Sequence, residues 1–150
     1  MSEVNVYDLS LMSISLLGIL IDGGFGESAL KIKPDGPAFG IKKGVDGSVT
    51  RYSTGERAGT ADIVLGQSSA NNDLLSGLLT AALAIPGAGI GTFFVKDGGG
   101  TTIIQSTAAW IVGWPEESEW AAESKDRAWK IQYTRARIFM GGNAPIVSPV

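Results

Sequence analysis

Four glutamates, Glu116, Glu117, Glu119 and Glu123, crowd one short stretch of this 150-residue chain and are the side chains best suited by type to acid/base or calcium chemistry. Their spacing specifies neither. Calcium loops alternate acids around a fixed glycine, and a glycosidase pair is defined by a distance in space that neighbouring positions in sequence do not set. A run of this kind ordinarily belongs to a solvated loop. Gly87, Gly89 and Gly91 resemble a nucleotide-binding turn, but a dinucleotide fingerprint needs a strand before the glycines and a helix after them, and here that order is reversed. Trp110, Trp114, Trp120 and Trp129 carry ring faces able to stack on sugars or bases. Trp110 and Trp129 alternate within strands and are assigned to the core, which leaves Trp114 and Trp120 as contact candidates.

The missing residue types narrow the chemistry further. The chain has no histidine and no cysteine, so a Ser/His/Asp triad, a His- or Cys-ligated metal and a thiol nucleophile are excluded. An enzyme built from this sequence would run on carboxylates, lysine or tyrosine, and no convergent pair of such groups is visible. The sequence therefore predicts a protein that is not an enzyme and needs no cofactor. Twelve basic against 15 acidic residues give a formal charge of -3, which argues against retention on nucleic acid by phosphate neutralisation. With 21 glycines, 6 prolines and no repeat, the composition points to the turns and bulges of one β-rich domain, long enough to fold without a disulfide or metal.

The elements that would position these residues are read in chain order. Residues 1–10 carry Glu3 and Asp8 and no lysine or arginine, unlike a signal peptide, and form an N-terminal arm. The apolar run 11–21 is about half a membrane span and is interrupted by Ser13, Ser15 and Gly18, so no membrane segment is expected. Met12, Ile14, Leu16 and Leu20 share one parity, which predicts a single first strand. Asp22-Gly23-Gly24 offers a turn. Leu30 and Ile32 alternate with Lys31 and Lys33 in a short second strand, and Phe39 and Ile41 alternate with Gly40 and Lys42 in a third. Asp46-Gly47 supplies a hairpin turn.

Residues 49–60 offer almost nothing to a core, and a polar hairpin spanning 42–60 is expected to project from the domain. An ordinary solvated surface hairpin has the same composition. The chain re-enters the core at Ala61, Ile63 and Leu65, with Asp62 and Val64 on the other face. Ser68 or Ser69 is the expected cap of one helix, with Leu74, Leu75, Leu78, Leu79 and Ala82 as its apolar stripe and Asn72, Ser76 and Thr80 as a polar stripe opposite. Residues 92–96 and 101–112 are strands joined by a glycine-rich turn, 116–126 is an exposed loop, and Trp129 through Phe139 is the last strand. The segment 141–150 has the glycine and proline content of a flexible C-terminal arm.

The order of these segments resembles the tail tube proteins of contractile-tailed bacteriophages. The residues that carry the resemblance are Val6-Tyr7-Asp8-Leu9-Ser10, Gly24-Phe25-Gly26-Glu27, Asp46-Gly47-Ser48-Val49-Thr50-Arg51, Ser68 through Ser76, Val95-Lys96-Asp97 and Arg127-Ala128-Trp129-Lys130-Ile131. The resemblance implies a mainly β, antiparallel β-sandwich or barrel-like subunit with one α-helix and an extended polar hairpin arm, in one domain over 1–150. It implies six-membered rings stacked into a hollow inner tail tube, a conduit for DNA delivery into the host. The implied partners are other copies, the tail sheath, the baseplate and the tape measure protein, with DNA passing without specific binding. The implied location is the virion, and the host cytoplasm before assembly.

On that reading the arm makes inter-subunit or inter-ring contacts through Lys42, Lys43, Asp46, Arg51, Tyr52, Glu56 and Arg57. Asn72, Ser76 and Thr80 form an outer or sheath-facing stripe, and Asp62 is a lumen-facing candidate in a channel that repels phosphate by like charge. A monomeric β-sandwich binding module using Trp114 and Trp120 is the alternative from another class. A tube of a phage-tail-like bacteriocin or secretion system shares the same physics.

Overall fold

The computed structural model describes residues 12–21, 23, 25–55, 57–85, 87–98 and 100–142. The expectations for 1–10, Asp22, Gly24, Glu56 and 143–150 lie outside the described residues. Strands β1 (Met12–Leu16) and β2 (Ile19–Ile21) form a hairpin in which Leu16 faces Ile19. The two loop residues both have positive φ, 52° at Leu17 and 82° at Gly18, as a type I′ turn requires. The single strand expected over 11–21 is therefore two strands. The turn reverses the side-chain parity, so Ile14, Leu16 and Ile21 are buried while Leu20 is 55% exposed.

Strand β3 (Phe25–Pro34) is longer than its alternating Leu30/Ile32 segment because a register shift between Phe25 and Leu30 lets it continue along its partner. Strands β4 (Phe39–Lys43) and β5 (Val49–Ser53) pair only with each other. Strand β6 (Gly59–Leu65) precedes helix α1 (Asn71–Ala84), and then come β7 (Gly91–Asp97), β8 (Ile103–Ile111), β9 (Arg127–Thr134) and β10 (Arg137–Phe139). The main sheet runs β2-β1-β7-β8-β9-β6-β3, all antiparallel, with β10 also on β8. This is the mainly β architecture with one helix that the sequence predicts.

Curvature of the sheet follows from connectivity. β2 and β3 are the two edges of the hydrogen-bonded path, yet only residues 22–24 separate Ile21 from Phe25. Four Cα steps span at most ~14 Å. The sheet must curl until its edges approach, and it forms an open half-barrel rather than two stacked sheets.

One face of the curled sheet is the core. Ile14, Val95 and Ile104 are opposed across β1, β7 and β8, and Ala61, Ile131 and Ile111 across β6, β9 and β8; all six are buried. The other face carries Ser13 opposite Lys96, Asp62 opposite Lys130, and Thr60 opposite Gln132, the alternation expected of a sheet with one dry side. Trp129 is core as expected. Trp110 is not: it pairs with Gln132 on the second face and stands half-buried beside Ala82 of the helix and Gly87, Ala88 and Ile90 that follow it. A strand exposed on one side places alternate residues outward whatever their type.

The last strand is also interrupted. Ala108↔Thr134 and Gln105↔Arg137 keep one register along β8, but Arg135 takes a positive φ of 51° between them. Ala136 turns inward and is buried, so the parity of Trp129, Ile131 and Tyr133 does not continue through Arg137 and Phe139, both of which are exposed.

Candidate functional site

The β4–β5 hairpin stands apart from the core, and every residue in its two strands except half-buried Gly40 is exposed. Cross-strand register divides it into two faces. Phe39, Ile41 and Lys43 oppose Ser53, Arg51 and Val49, while Gly40 and Lys42 oppose Tyr52 and Thr50. The first face is apolar and basic: Phe39, Ile41 and Val49 are 53%, 61% and 62% exposed, and the Arg51 guanidinium lies 4.4 Å from the centre of the Phe39 ring. On the second face the Tyr52 ring lies so close over Gly40 that a Cβ there would come within 2.5 Å of it. The arm is thus less polar than the run 49–60 suggests, because Phe39 and Ile41 of β4, upstream of that run, join Val49 on one face.

Asp46 is occupied within the turn. It accepts hydrogen bonds from the Ser48 hydroxyl at 2.8 Å and the Ser48 N–H at 3.1 Å, and these hold its carboxyl below the ordinary carboxylate range. Gly47 supplies the positive φ of 90°. Lys42 and Lys43 extend into solvent. Arg57 is exposed at the root, where its carbonyl accepts from the Ala136 N–H at 2.9 Å. Glu56 lies outside the described residues.

The root is fastened to the sheet. Asp35 N–H donates to the Ala58 carbonyl at 3.0 Å, and the Gln132 amide donates to the Asp35 carboxylate at 3.2 Å. Thr54 ties the two sides of the hairpin base through Pro37 and Ala38 carbonyls at 2.6 and 3.1 Å. The base of the hairpin is thus tied both to the sheet and across its own two sides.

The acidic stretch lies in the connection 112–126, between β8 and β9. Glu116 pairs with Lys130 at 3.1 Å, and Trp114 packs at 6.0 Å on Trp129. The Lys125 N–H donates to Gln67 Oε1 at 3.1 Å, and Arg127 sits 5.4 Å from the Trp120 ring centre. Trp114 and Trp120 remain 54% and 76% exposed. A depression of about 360 Å³ beside this loop takes in Lys33, Asp62, Trp114, Glu116, Glu117 and Lys130. Asp62 is half-buried there, on the second face of the sheet.

Helix placement corrects one assignment. Asn72 is 4% exposed and is not part of an outer stripe. Its amide donates to the Gly66 and Ser69 carbonyls at 2.9 and 3.1 Å, and its oxygen accepts the Trp129 indole N–H at 3.0 Å. Thr80 is exposed and Ser76 half-buried. Leu75 and Leu79 enter the core, whereas Leu74 is 43% exposed. The residue before the first helical turn is Ala70, with no side-chain cap; Ser69 instead accepts the Asn71 N–H at 3.2 Å. The helix packs through its first turn, which an apolar-stripe reading assigns to solvent because asparagine counts as polar.

Among the described residues no cluster of three acidic side chains is arranged to hold a metal ion, and no helix is long and apolar enough to cross a membrane. Among the described residues the arrangement presents two contrasting surfaces, a basic-apolar arm and an acidic-aromatic loop.

No known protein family matches the chain, and no curated protein is detectably similar to it. Solved structures do resemble it. A chain in the cryo-EM structure of the anti-feeding prophage cap (AFP tube terminating cap) is 11% identical with a TM-score of 0.61, over 93% of this chain and 94% of that one. A chain in the sheath/tube terminator of PVC, an extracellular contractile injection system, in the extended state is 10% identical with a TM-score of 0.59, over 90% and 97%. Another in the PVC sheath-tube complex in the extended state is 10% identical with a TM-score of 0.59, over 88% and 90%. The chain shares a fold with these components over nearly its whole length.

Proposed function

We propose that this chain is a structural subunit of a contractile tail or a contractile injection particle, whose copies close into rings of about six that stack into a hollow tube. The observation that carries this reading is the whole-length agreement in fold with chains of tube, cap and sheath-tube assemblies, 93% of this chain against 94% of the first. Two physical features support it. The edges β2 and β3 belong to a curled sheet whose path they do not close, and open edges of this kind are stabilised when neighbouring copies continue the sheet. The β4–β5 hairpin contributes nothing to the core, and an isolated hairpin of two strands is marginal in water.

In this proposal the arm contacts the adjacent ring or subunit through Lys42, Lys43, Arg51, Tyr52 and Arg57, together with Glu56. Asp62 and its neighbours on the second face of the sheet line the lumen; because Lys31, Lys33, Lys96 and Lys130 share that face with Asp62, it is basic and not the phosphate-repelling surface expected from Asp62 alone. Ser76 and Thr80 face outward towards a sheath. Sheath, baseplate and tape measure proteins are the other partners, and DNA or another cargo slides through without specific contacts. The assembled particle is its site of action. Solved structures that share its fold belong to the anti-feeding prophage cap and to an extracellular contractile injection system, which favours a tail-like particle as much as a phage tail.

Deleting residues 48–55 tests the arm. The subunit should fold with unchanged far-UV circular dichroism and fail to form tubes; unchanged tubes in electron micrographs would sink the proposal.

A further inference from the structure

We propose that the acidic loop 116–126 is the seat of the β4–β5 hairpin of a second copy, so that copies join head to tail along the strand direction. This rests on the self-assembly reading above and adds to it the surface on which the arm lands.

Strands β6 and β9 are paired from Gly59↔Tyr133 to Leu65↔Arg127. The hairpin leaves through Gly59 and its neighbour Pro34, at one end of that pair, and the loop enters at Arg127, at the other. Six residue steps separate these points, or ~20 Å along the strands. A second copy displaced along the strand axis brings its arm to the loop of the first. Because the two surfaces differ, the contact is heterologous and repeats without closing on itself, as stacking requires.

The two surfaces carry opposite charge. Over residues 39–55 the cations Lys42, Lys43 and Arg51 face one acid, Asp46, which is already engaged by Ser48. Over 116–126 five acids stand against one cation, Lys125; with Glu116 paired to Lys130, the charge offered to the arm is that of Glu117, Glu119 and Glu123. The two surfaces also offer apolar area: Phe39, Ile41 and Val49 on the arm, Trp120 on the loop and Trp114 just before it are each more than half exposed. An interface with aromatic anchors and complementary charge around them has the composition of a specific contact. The loop is also held in place, by Lys130 on Glu116 and by Gln67 on the Lys125 backbone.

The test uses charge reversal on both surfaces of the full chain, with assembly followed by sedimentation velocity and electron microscopy. Lys42→Glu/Lys43→Glu/Arg51→Glu reverses the arm, and Glu117→Lys/Glu119→Lys/Glu123→Lys reverses the loop while leaving the Glu116–Lys130 pair intact. Each variant alone should need at least tenfold more protein to stack than the unmodified chain. An equimolar mixture of the two, in which arms and loops are again complementary, should recover stacking. Variants that stack like the unmodified protein, or folded variants whose mixture stays dispersed, overturn the inference. An unmodified chain that sediments as a 15.6 kDa species at every concentration would instead overturn the assembly reading itself, and this inference with it.

Discussion

The Trp129 indole N–H donates to Asn72 Oδ1 at 3.0 Å, between the strand that follows the acidic loop and the first turn of the only helix among the described residues. Both residues are buried, and the same Asn72 amide closes the turn before the helix by donating to Gly66 and Ser69 carbonyls. One side chain thereby fixes the helix to the sheet. Asn72→Ala should lower subunit stability by ~2–3 kcal/mol, because it leaves a buried indole donor and nearby carbonyls unsatisfied. Urea unfolding followed by circular dichroism, below the assembly concentration, measures this; a change under half a unit of kcal/mol, on the order of a surface substitution, would show that the clasp is not structural.

Tyr133 gives the second prediction. Its ring is fully buried and stacks on Phe93 with centroids 6.2 Å apart, and its hydroxyl has no hydrogen-bond partner among the described residues. Tyr133→Phe should therefore be neutral or stabilising by up to ~1 kcal/mol. Gly59→Ala should destabilise, by ~1–3 kcal/mol, because its Cβ would overlap that hydroxyl. Thermal melts of the two variants should move in opposite directions or leave only the second displaced.

The same residue sets an alkaline limit. Burial first, and then the nearby Asp35 carboxylate, push the Tyr133 hydroxyl above its ordinary value of 10.0. The folded protein then keeps this proton where the unfolded chain releases it. The stability linked to it is complete below about pH 10 and is lost as pH rises through the higher folded value. Unfolding measured between pH 8 and 11 should show a drop that Tyr133→Phe reduces; identical pH profiles would contradict the linkage.

Two glycines separate folding from assembly. Gly18 has φ 82° in the β1–β2 turn beside the core, and Gly47 has φ 90° at the tip of the exposed arm. Alanine at Gly18 should destabilise the subunit by ~1 kcal/mol or more, since an L side chain is strained there. Alanine at Gly47 should leave the melting of the body unchanged and weaken self-association. Parallel melting and sedimentation measurements distinguish the two; equal effects of Gly47→Ala and Gly18→Ala on melting would mean that the arm folds as part of the core.

What could be read from the sequence was what alternation and turn chemistry encode locally. Ala61, Ile63 and Leu65 enter the core as their parity predicts, and Asp46-Gly47 makes the hairpin turn. What was hidden depends on tertiary context. Leucine at positive φ is uncommon, so Leu17-Gly18 does not read as a turn, and the hairpin it makes sends Leu20 outward. Asn72 reads as a solvent residue because its type is polar, yet its partners are carbonyls and an indole brought together only by the fold. The apolar face of the arm joins Phe39 and Ile41 to Val49 across the hairpin, a grouping that exists only once the register is known. The acidic loop reads correctly as exposed, but its position at the opposite end of the β6–β9 pair from the arm requires the sheet order.

On the proposed function, copies of the chain self-assemble into a hollow tube. Negative-stain electron microscopy of the purified, unmodified protein across a concentration series tests it most directly. Rings of about six copies or stacked tubes with a stain-filled central channel are the predicted result. Dispersed single subunits at every concentration, or solid aggregates with no channel, would contradict it.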